Sequence, residues 1–226
     1  MNVYLDIETV PQQPEDEAKA IIEQDVKPPK TMSKPETIQA WMNGDGKYAG
    51  EKEKVIEESY RKTSLDGAKG EVISIAFAVN DLVFSRCREL GEPESDLLNL
   101  FADAIQSHTN KRPPYFVGHN IQFDLKFLFH RCVIREIKTG FALPFGGRHG
   151  NNFYCTMQAW AGFNGRISQD NLCKALGIEG KPSDIDGSKV WDFVKAGDVK
   201  RVNEYNVDDV RKVKAIYDRI NSVRAD

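Results

Sequence analysis

The sequence predicts an α/β protein in which a mixed β-sheet is flanked by α-helices. Three short apolar runs with strand character come before most of the helical patterns, and a fourth lies directly before a helix. A long polar segment at about 11–66 separates the first two strands and is too long for a hairpin connection. We therefore expect a single domain, residues 1–226, with a helical insertion between its first two strands.

The four strands are predicted from short apolar runs that end at turn residues. The first ends before Pro11, and the turn Asn80-Asp81 joins the second to the third, which makes a meander. Their predicted ranges are 2–7, 72–79, 82–87 and 115–118.

Helices are predicted where apolar residues recur at helical spacing after a capping residue or a proline. Ser168 and Asp198 are typical first caps, and Gly177 is a typical helix end. The predicted ranges are 94–107, 122–137, 168–177, 188–196 and 198–223. The glycine-rich stretch 140–152 shows no periodicity and is predicted to be a mobile loop.

The insertion at 11–66 carries nine basic and twelve acidic residues, so it is not a basic clamp for nucleic acid. Two interpretations stay open. It forms either a solvated helical flap, or a lid or docking surface for another protein.

Composition restricts the cellular setting and the mode of binding. The net charge of −3 does not indicate a surface that grips long duplexes through many phosphates. The four cysteines are far apart in the sequence, which favours reduced thiols. With no apolar run long enough to span a bilayer, we expect a soluble protein without a membrane partner, in the cytoplasm of a bacterial cell or a phage-infected host.

The first chemical motif is a pair of carboxylates, Asp6 and Glu8, at the end of the first strand. Residues two apart in a strand leave the same face of the sheet, so the two acids can share one cation. An ordinary surface pair would look the same. However, Asp6 lies within an apolar run, where an unpaired carboxylate is costly.

The second motif lies where the fourth strand ends at Gly118 and a helix follows. Asp124 falls in the first helical turn, where the helix dipole favours an anion; it either complements the dipole or binds a ligand. Asn120 is either a turn or capping residue or part of the site. His119 and His130 are predicted to be satisfied polar groups.

The third motif places Tyr205 and Asp209 four residues apart on the last helix, and therefore on one face. Asp209 can bind a metal while Tyr205 contacts a nearby water. Asp208 is an alternative ligand, because a residue three positions after Tyr205 lies on roughly the same face of the helix.

In this order, the three motifs resemble those of the DnaQ-like (DEDD) 3'–5' exonucleases. The quoted parts are Asp6-Ile7-Glu8-Thr9, Asn120-x-x-x-Asp124 and Tyr205-x-x-x-Asp209. The resemblance selects Asp209 over Asp208, and the tyrosine subtype over the histidine subtype. Residues 6–11 and 186–193 are also similar to the predicted exonucleases related to the proofreading domain of family B DNA polymerases. The likeness spans residues 1–10 and about 66–220, and it implies an RNase H-like fold.

This resemblance implies a chemistry based on two divalent cations, Mg²⁺ or Mn²⁺. Asp6 would bridge both ions, Glu8 and Asp209 would complete one site, and Asp124 would reach the second. Tyr205 would orient the attacking water, since a phenol is a poor base at neutral pH. Thr9, Asn120 and Phe123 would contact the terminal nucleotide.

The implied activity is hydrolysis of phosphodiester bonds from the 3' end, releasing nucleoside 5'-monophosphates. The expected partner is nucleic acid with a free 3' end, above all single-stranded DNA, and a polymerase or another replication or repair protein is a further candidate. RNA as substrate and an inert module that only binds nucleic acid stay open as alternatives. Lys111, Arg112, Arg148 and His149 are either phosphate contacts or solvated surface.

Overall fold

The chain divides into two compact units. A computed structural model describes residues 1–110, 112–146, 152–180 and 184–223. One unit consists of Met1–Thr9 and Val72–Asp226, and the other of Val10–Glu71. Lys111, Arg148 and His149 lie outside the described residues, as does the part of the predicted loop at 147–151.

A five-stranded mixed sheet forms the centre of the larger unit, with the strand order β3-β2-β1-β4-β5. β2 and β3 pair antiparallel, whereas β4 runs parallel to both β1 and β5. The strands are β1 (Asn2–Val10), β2 (Glu71–Val79), β3 (Leu82–Cys87), β4 (Tyr115–Gly118) and β5 (Phe153–Cys155).

The predicted fold class is confirmed: helices flank a mixed sheet, and an inserted helical segment separates β1 from β2. The fifth strand was not predicted. Phe153–Cys155 is only three residues long and fully buried, so it shows no alternation of apolar and polar residues. β1 is also longer than predicted and continues to Val10.

Six helices of the larger unit are described. α7 has the predicted caps, because the Ser168 hydroxyl accepts from the Asn171 N–H and Gly177 ends the helix in a left-handed conformation. α5 stops three residues earlier than predicted, before Glu136, which has a positive φ of 56°. α6 was not predicted. These helices are α4 (Glu94–His108), α5 (Gln122–Ile134), α6 (Thr156–Ala161), α7 (Gln169–Leu176), α8 (Val190–Lys195) and α9 (Val199–Asn221).

Each face of the sheet is covered by its own hydrophobic cluster. Val3, Leu5 and Ile7 of β1 belong to the cluster that contains the apolar residues of α4 and α5. Tyr4 points to the opposite face and packs with Val210 and Val213 of α9. β1 is therefore buried on both sides, and its alternation decides which helix each side chain meets.

A buried ion pair holds α4 and α5 together beneath the sheet. The Glu94 carboxylate accepts hydrogen bonds from Arg131 at 2.7 Å and Arg135 at 2.9 Å, and from the Val72 N–H at 2.8 Å. Burial alone would raise the pKa of Glu94, but these donors outweigh it and lower that pKa. Glu94 therefore stays ionised inside the fold.

The smaller unit is helical and has its own buried aromatic residues. It contains α1 (Glu15–Asp25), α2 (Pro35–Asn43) and α3 (Glu51–Lys62). Trp41 and Tyr60 are fully buried, and Lys19 of α1 pairs with Glu57 of α3 at 2.5 Å. Among the helices of the described residues, none is long and apolar enough to cross a bilayer.

Candidate active site

The site is built on the part of β1 that extends past its parallel partner. The pairing of β1 with β4 stops at Tyr4↔Val117, so residues 6–8 continue beyond the end of β4. Asp6 and Glu8 share the face of Tyr4, which α9 covers. The strand thus presents two carboxylates to α9, as the spacing predicted.

Three carboxylates converge at this edge of the sheet. Oxygens of Asp6, Glu8 and Asp209 all lie within 4.8 Å of one another. Glu8 and Asp209 are buried and Asp6 is half-buried. Because like charges this close repel one another, the cluster is suited to a cation that neutralises it.

Asp124 lies next to the cluster but is not among the three acids whose oxygens are within 4.8 Å of one another. Its Oδ1 accepts a hydrogen bond from the Ile7 N–H at 3.1 Å, between the two acids of β1. Burial, together with the nearby charge of Asp209, raises the pKa of Asp124 to about 8. A carboxylate in this place therefore needs a compensating positive charge to ionise at neutral pH.

The turn between β4 and α5 carries the second motif and requires two special residues. A Cβ on Gly118 would come within 2.5 Å of the Ile121 side chain and 3.0 Å of the Leu5 carbonyl oxygen. Asn120 adopts a left-handed φ of 60°, which asparagine tolerates better than most residues. This tight turn sets Asp124 in the first turn of α5, as predicted.

Tyr205 is buried on α9 directly beside the acids. Its hydroxyl hydrogen-bonds the Asp209 side chain, and burial followed by the charges of Glu8, Asp209 and Asp6 raises its pKa far above the ordinary value. The phenol therefore keeps its proton and acts as a donor. By contrast, Asp208 forms an ion pair with Lys212 and does not join the acid cluster.

Asn206 is a functional candidate that sequence reasoning did not single out. It is fully buried, donates to the Asp6 carboxylate at 2.7 Å and accepts from the Ser74 hydroxyl at 3.1 Å. Asn206 follows Tyr205 directly, but only the fold shows that it reaches a residue 200 positions away. Asn206 therefore orients the Asp6 carboxylate, and Ser74 of β2 holds Asn206 in place.

The predicted nucleotide-contact residues are neighbours of the acids in the chain, Thr9 after Glu8, and Asn120 and Phe123 before Asp124. Thr9 points to the other face of β1, Asn120 is exposed, and Phe123 is half-buried against the core. His119 is a satisfied polar group, as predicted, since its nitrogens lie 2.9 Å from the Thr156 hydroxyl and the Ile167 carbonyl. Arg112 is exposed before β4, at the opposite end of that strand from Gly118.

The donor set has a defined chemical preference. Carboxylate oxygens are hard ligands, and a site made of them favours Mg²⁺ or Mn²⁺ over metals that prefer nitrogen or sulfur. A cation bound there would neutralise the acids and offer positive charge to a phosphodiester. The residues present therefore fit a divalent cation.

Most of the chain is similar to a known protein family. Residues 65–226 match a family model described as "Predicted 3'-5' exonuclease related to the exonuclease domain of PolB". The match includes the second and third motifs, while Asp6 and Glu8 lie before it. A search of curated proteins finds no significant match. Since the match covers more than half of the chain, this protein belongs to the family of predicted 3'–5' exonucleases related to the exonuclease domain of PolB.

Proposed function

We propose that this protein is a metal-dependent 3'–5' exonuclease that removes nucleotides from single-stranded DNA. The observation that carries the proposal is the convergence of Asp6, Glu8 and Asp209 within 4.8 Å, with Asp124 bonded to the backbone between the first two. The acids come from β1, α5 and α9, which are distant in sequence. Bringing like charges together is unfavourable without a cation, so a purely structural role does not account for their position. All of them belong to the larger unit, which supports one exonuclease domain carrying an insertion.

The four carboxylates would hold two divalent cations, Mg²⁺ or Mn²⁺. Such a pair lowers the pKa of a bound water and stabilises charge on the leaving 3' oxygen. Asp6 would bridge the two cations, which two contacts support: one of its carboxylate oxygens lies within 4.8 Å of those of Glu8 and Asp209, and the next residue, Ile7, donates its N–H to Asp124. A further interaction of Asp6, with Asn206, fixes the carboxylate orientation.

Tyr205 would position the attacking water. Its raised pKa excludes a role as general base at neutral pH, whereas its protonated hydroxyl can donate to an oxygen held beside Asp209. Deprotonation of the water therefore depends on the cations and the carboxylates. Thr9, which follows Glu8, and Asn120 and Phe123, which precede Asp124, would contact the terminal nucleotide.

The proposal is tested with single-stranded DNA labelled at the 5' or the 3' end. With Mn²⁺, we expect a 5' label to yield a ladder that shortens stepwise, a 3' label to appear at once as mononucleotide, and EDTA to stop both. Asp6→Asn should abolish the activity, and the matched control Asp208→Asn should retain it. Equal activity in the Asp6→Asn protein would refute the site.

Duplex DNA and RNA of the same sequence complete the assay. Faster shortening of RNA than of DNA would make the protein an exoribonuclease instead. If no substrate is shortened although it is bound, the protein is an inert nucleic-acid-binding relative, and the proposed activity is wrong.

A further inference from the structure

The loop that joins α6 to α7, residues 162–168, lies at the same edge of the sheet as the acid cluster. β5 runs parallel to β4 with Gly118 opposite Cys155, and α6 begins at the next residue. The carboxyl ends of parallel strands lie at one edge of a sheet, so α6 leaves the sheet where β4 leads into the second motif.

The end of this α6–α7 loop that leads into α7 is bonded to the motif residues. On one side, His119 Nε2 donates to the Ile167 carbonyl at 2.9 Å, while its Nδ1 contacts Thr156 at the start of α6. On the other, the buried Gln169 side chain donates to the backbone carbonyl of Asp209 at 3.0 Å. This end of the loop is therefore held between the second and third motifs.

Glycines define the conformation of the loop. Gly162 has a φ of 82°, and a Cβ on Gly165 would lie 2.0 Å from the Ala161 carbonyl oxygen. The Gly165 N–H also donates to the Gly162 carbonyl at 3.2 Å. This segment is thus a tight turn against the end of α6, so the backbone between the two glycines has a defined conformation.

The loop and the adjacent turn of α6 expose two large aromatic side chains and a cation. Phe163 is 63% exposed and Trp160 is 49% exposed. Trp160 follows Thr156 by four residues, so it lies on the helix face that Thr156 turns toward His119. Arg166 is exposed too. Exposed aromatics beside an arginine are the combination that binds single strands, through base stacking and phosphate contact.

We propose that Trp160, Phe163 and Arg166 bind the nucleotides upstream of the 3' terminus of a single strand. The aromatic rings stack on bases and the guanidinium pairs with a phosphate. This inference rests on the proposed function and explains how a protein with net charge −3 retains its substrate: the cations attract the terminal phosphodiester, and the α6–α7 loop holds the strand behind it.

The test compares strand binding with hydrolysis of a substrate that has no upstream nucleotide. Binding is measured by fluorescence anisotropy with Mg²⁺ and oligo-dT or oligo-rU of about 12 nucleotides, protected at the 3' end by phosphorothioate linkages. The small substrate is p-nitrophenyl thymidine 5'-monophosphate. Matched controls are Phe129→Ala, an exposed aromatic on α5, and Arg86→Gln, an exposed arginine on the edge strand β3.

We expect Trp160→Ala and Phe163→Ala each to raise the Kd for both oligonucleotides about tenfold. Arg166→Gln should make the slope of log K against log salt shallower by about 0.7, which the aromatic variants should not do. Gly165→Ala, which keeps all three side chains but shifts the turn, should also weaken strand binding. All four should hydrolyse the small substrate at the wild-type rate, and both controls should bind like wild type.

Wild-type affinity in the loop variants would overturn the inference. So would an equal loss of strand binding and small-substrate hydrolysis, because the loop would then act by supporting the acids. If the wild type hydrolyses neither substrate, the proposed function fails, and the Kd comparison alone decides the role of the loop.

Discussion

Replacing Asp209 with asparagine should stabilise the metal-free protein and remove its stabilisation by metal. Two unit charges 4.8 Å apart repel each other by about 3 kcal/mol at an effective dielectric constant of about 20. Asp6 is half-buried, so solvent screening leaves about 1 kcal/mol of this. For a protein of this size, that corresponds to a rise in Tm of about 2–4 °C.

Bound metal should make the wild type more stable than the Asp209→Asn variant. A cation at 100 times its Kd adds about 2.7 kcal/mol, which is a rise of about 5–10 °C for the wild type. Asp209→Asn should show little of this rise. The assay is thermal unfolding followed by circular dichroism, in EDTA and then in excess Mn²⁺.

The neighbouring variant Asp208→Asn is the matched control. It removes the same charge from the same helix, but that charge pairs with Lys212 instead of joining the cluster. It should lower Tm in EDTA and keep the full Mn²⁺ response. If Asp208→Asn lost the response and Asp209→Asn kept it, the assignment of the third motif would be wrong.

Three further predictions concern the residues around the cluster. Tyr205→Phe should lower kcat about tenfold or more and leave the Mn²⁺ affinity unchanged, because it removes a water-positioning hydroxyl; loss of metal binding in a titration would instead show a structural role. Asn206→Ala should weaken Mn²⁺ binding about tenfold by releasing Asp6, whereas Asn203→Ala on the same helix should not, and equal affinities would contradict this orienting role. Glu94→Gln should cost about 3 kcal/mol or more at neutral pH, measured by urea unfolding, because it weakens the pairing of a buried arginine.

Glu94 also predicts a pH dependence. Its pKa in the folded state lies below the ordinary value of 4.5, so its stabilisation is complete above that pH and is lost as pH falls through the folded-state pKa. The destabilisation caused by Glu94→Gln should therefore shrink in acid. A difference between wild type and variant that stays constant from pH 7 to about 3 would contradict this explanation.

The regular elements of the fold can be predicted from the sequence because local signals specify them. β1 alternates between the two faces of the sheet, and this alternation alone predicts that Asp6 and Glu8 leave the same face. Likewise, Ser168 and Gly177 mark the ends of α7 through hydrogen bonds within a few residues. Such features depend on neighbours in the chain.

The features that the sequence does not predict depend on contacts between distant residues. β5 is a strand because Phe153–Cys155 pairs with β4, and its three residues contain no pattern of their own. The hydrogen bond from Asn206 to Asp6 joins α9 to β1, and no local pattern reports it. The choice of Asp209 over Asp208 came from family spacing; in the structure Asp209 lies with Asp6 and Glu8, whereas Asp208 pairs with Lys212.

The most direct test of the proposed metal centre is anomalous diffraction from crystals grown with Mn²⁺ and a protected single-stranded 3' end. We predict two manganese peaks about 3.5–4 Å apart, with Asp6 contacting both, Glu8 and Asp209 on one, and Asp124 directed toward the other. Manganese bound elsewhere, with no peak among these carboxylates, would contradict the central claim.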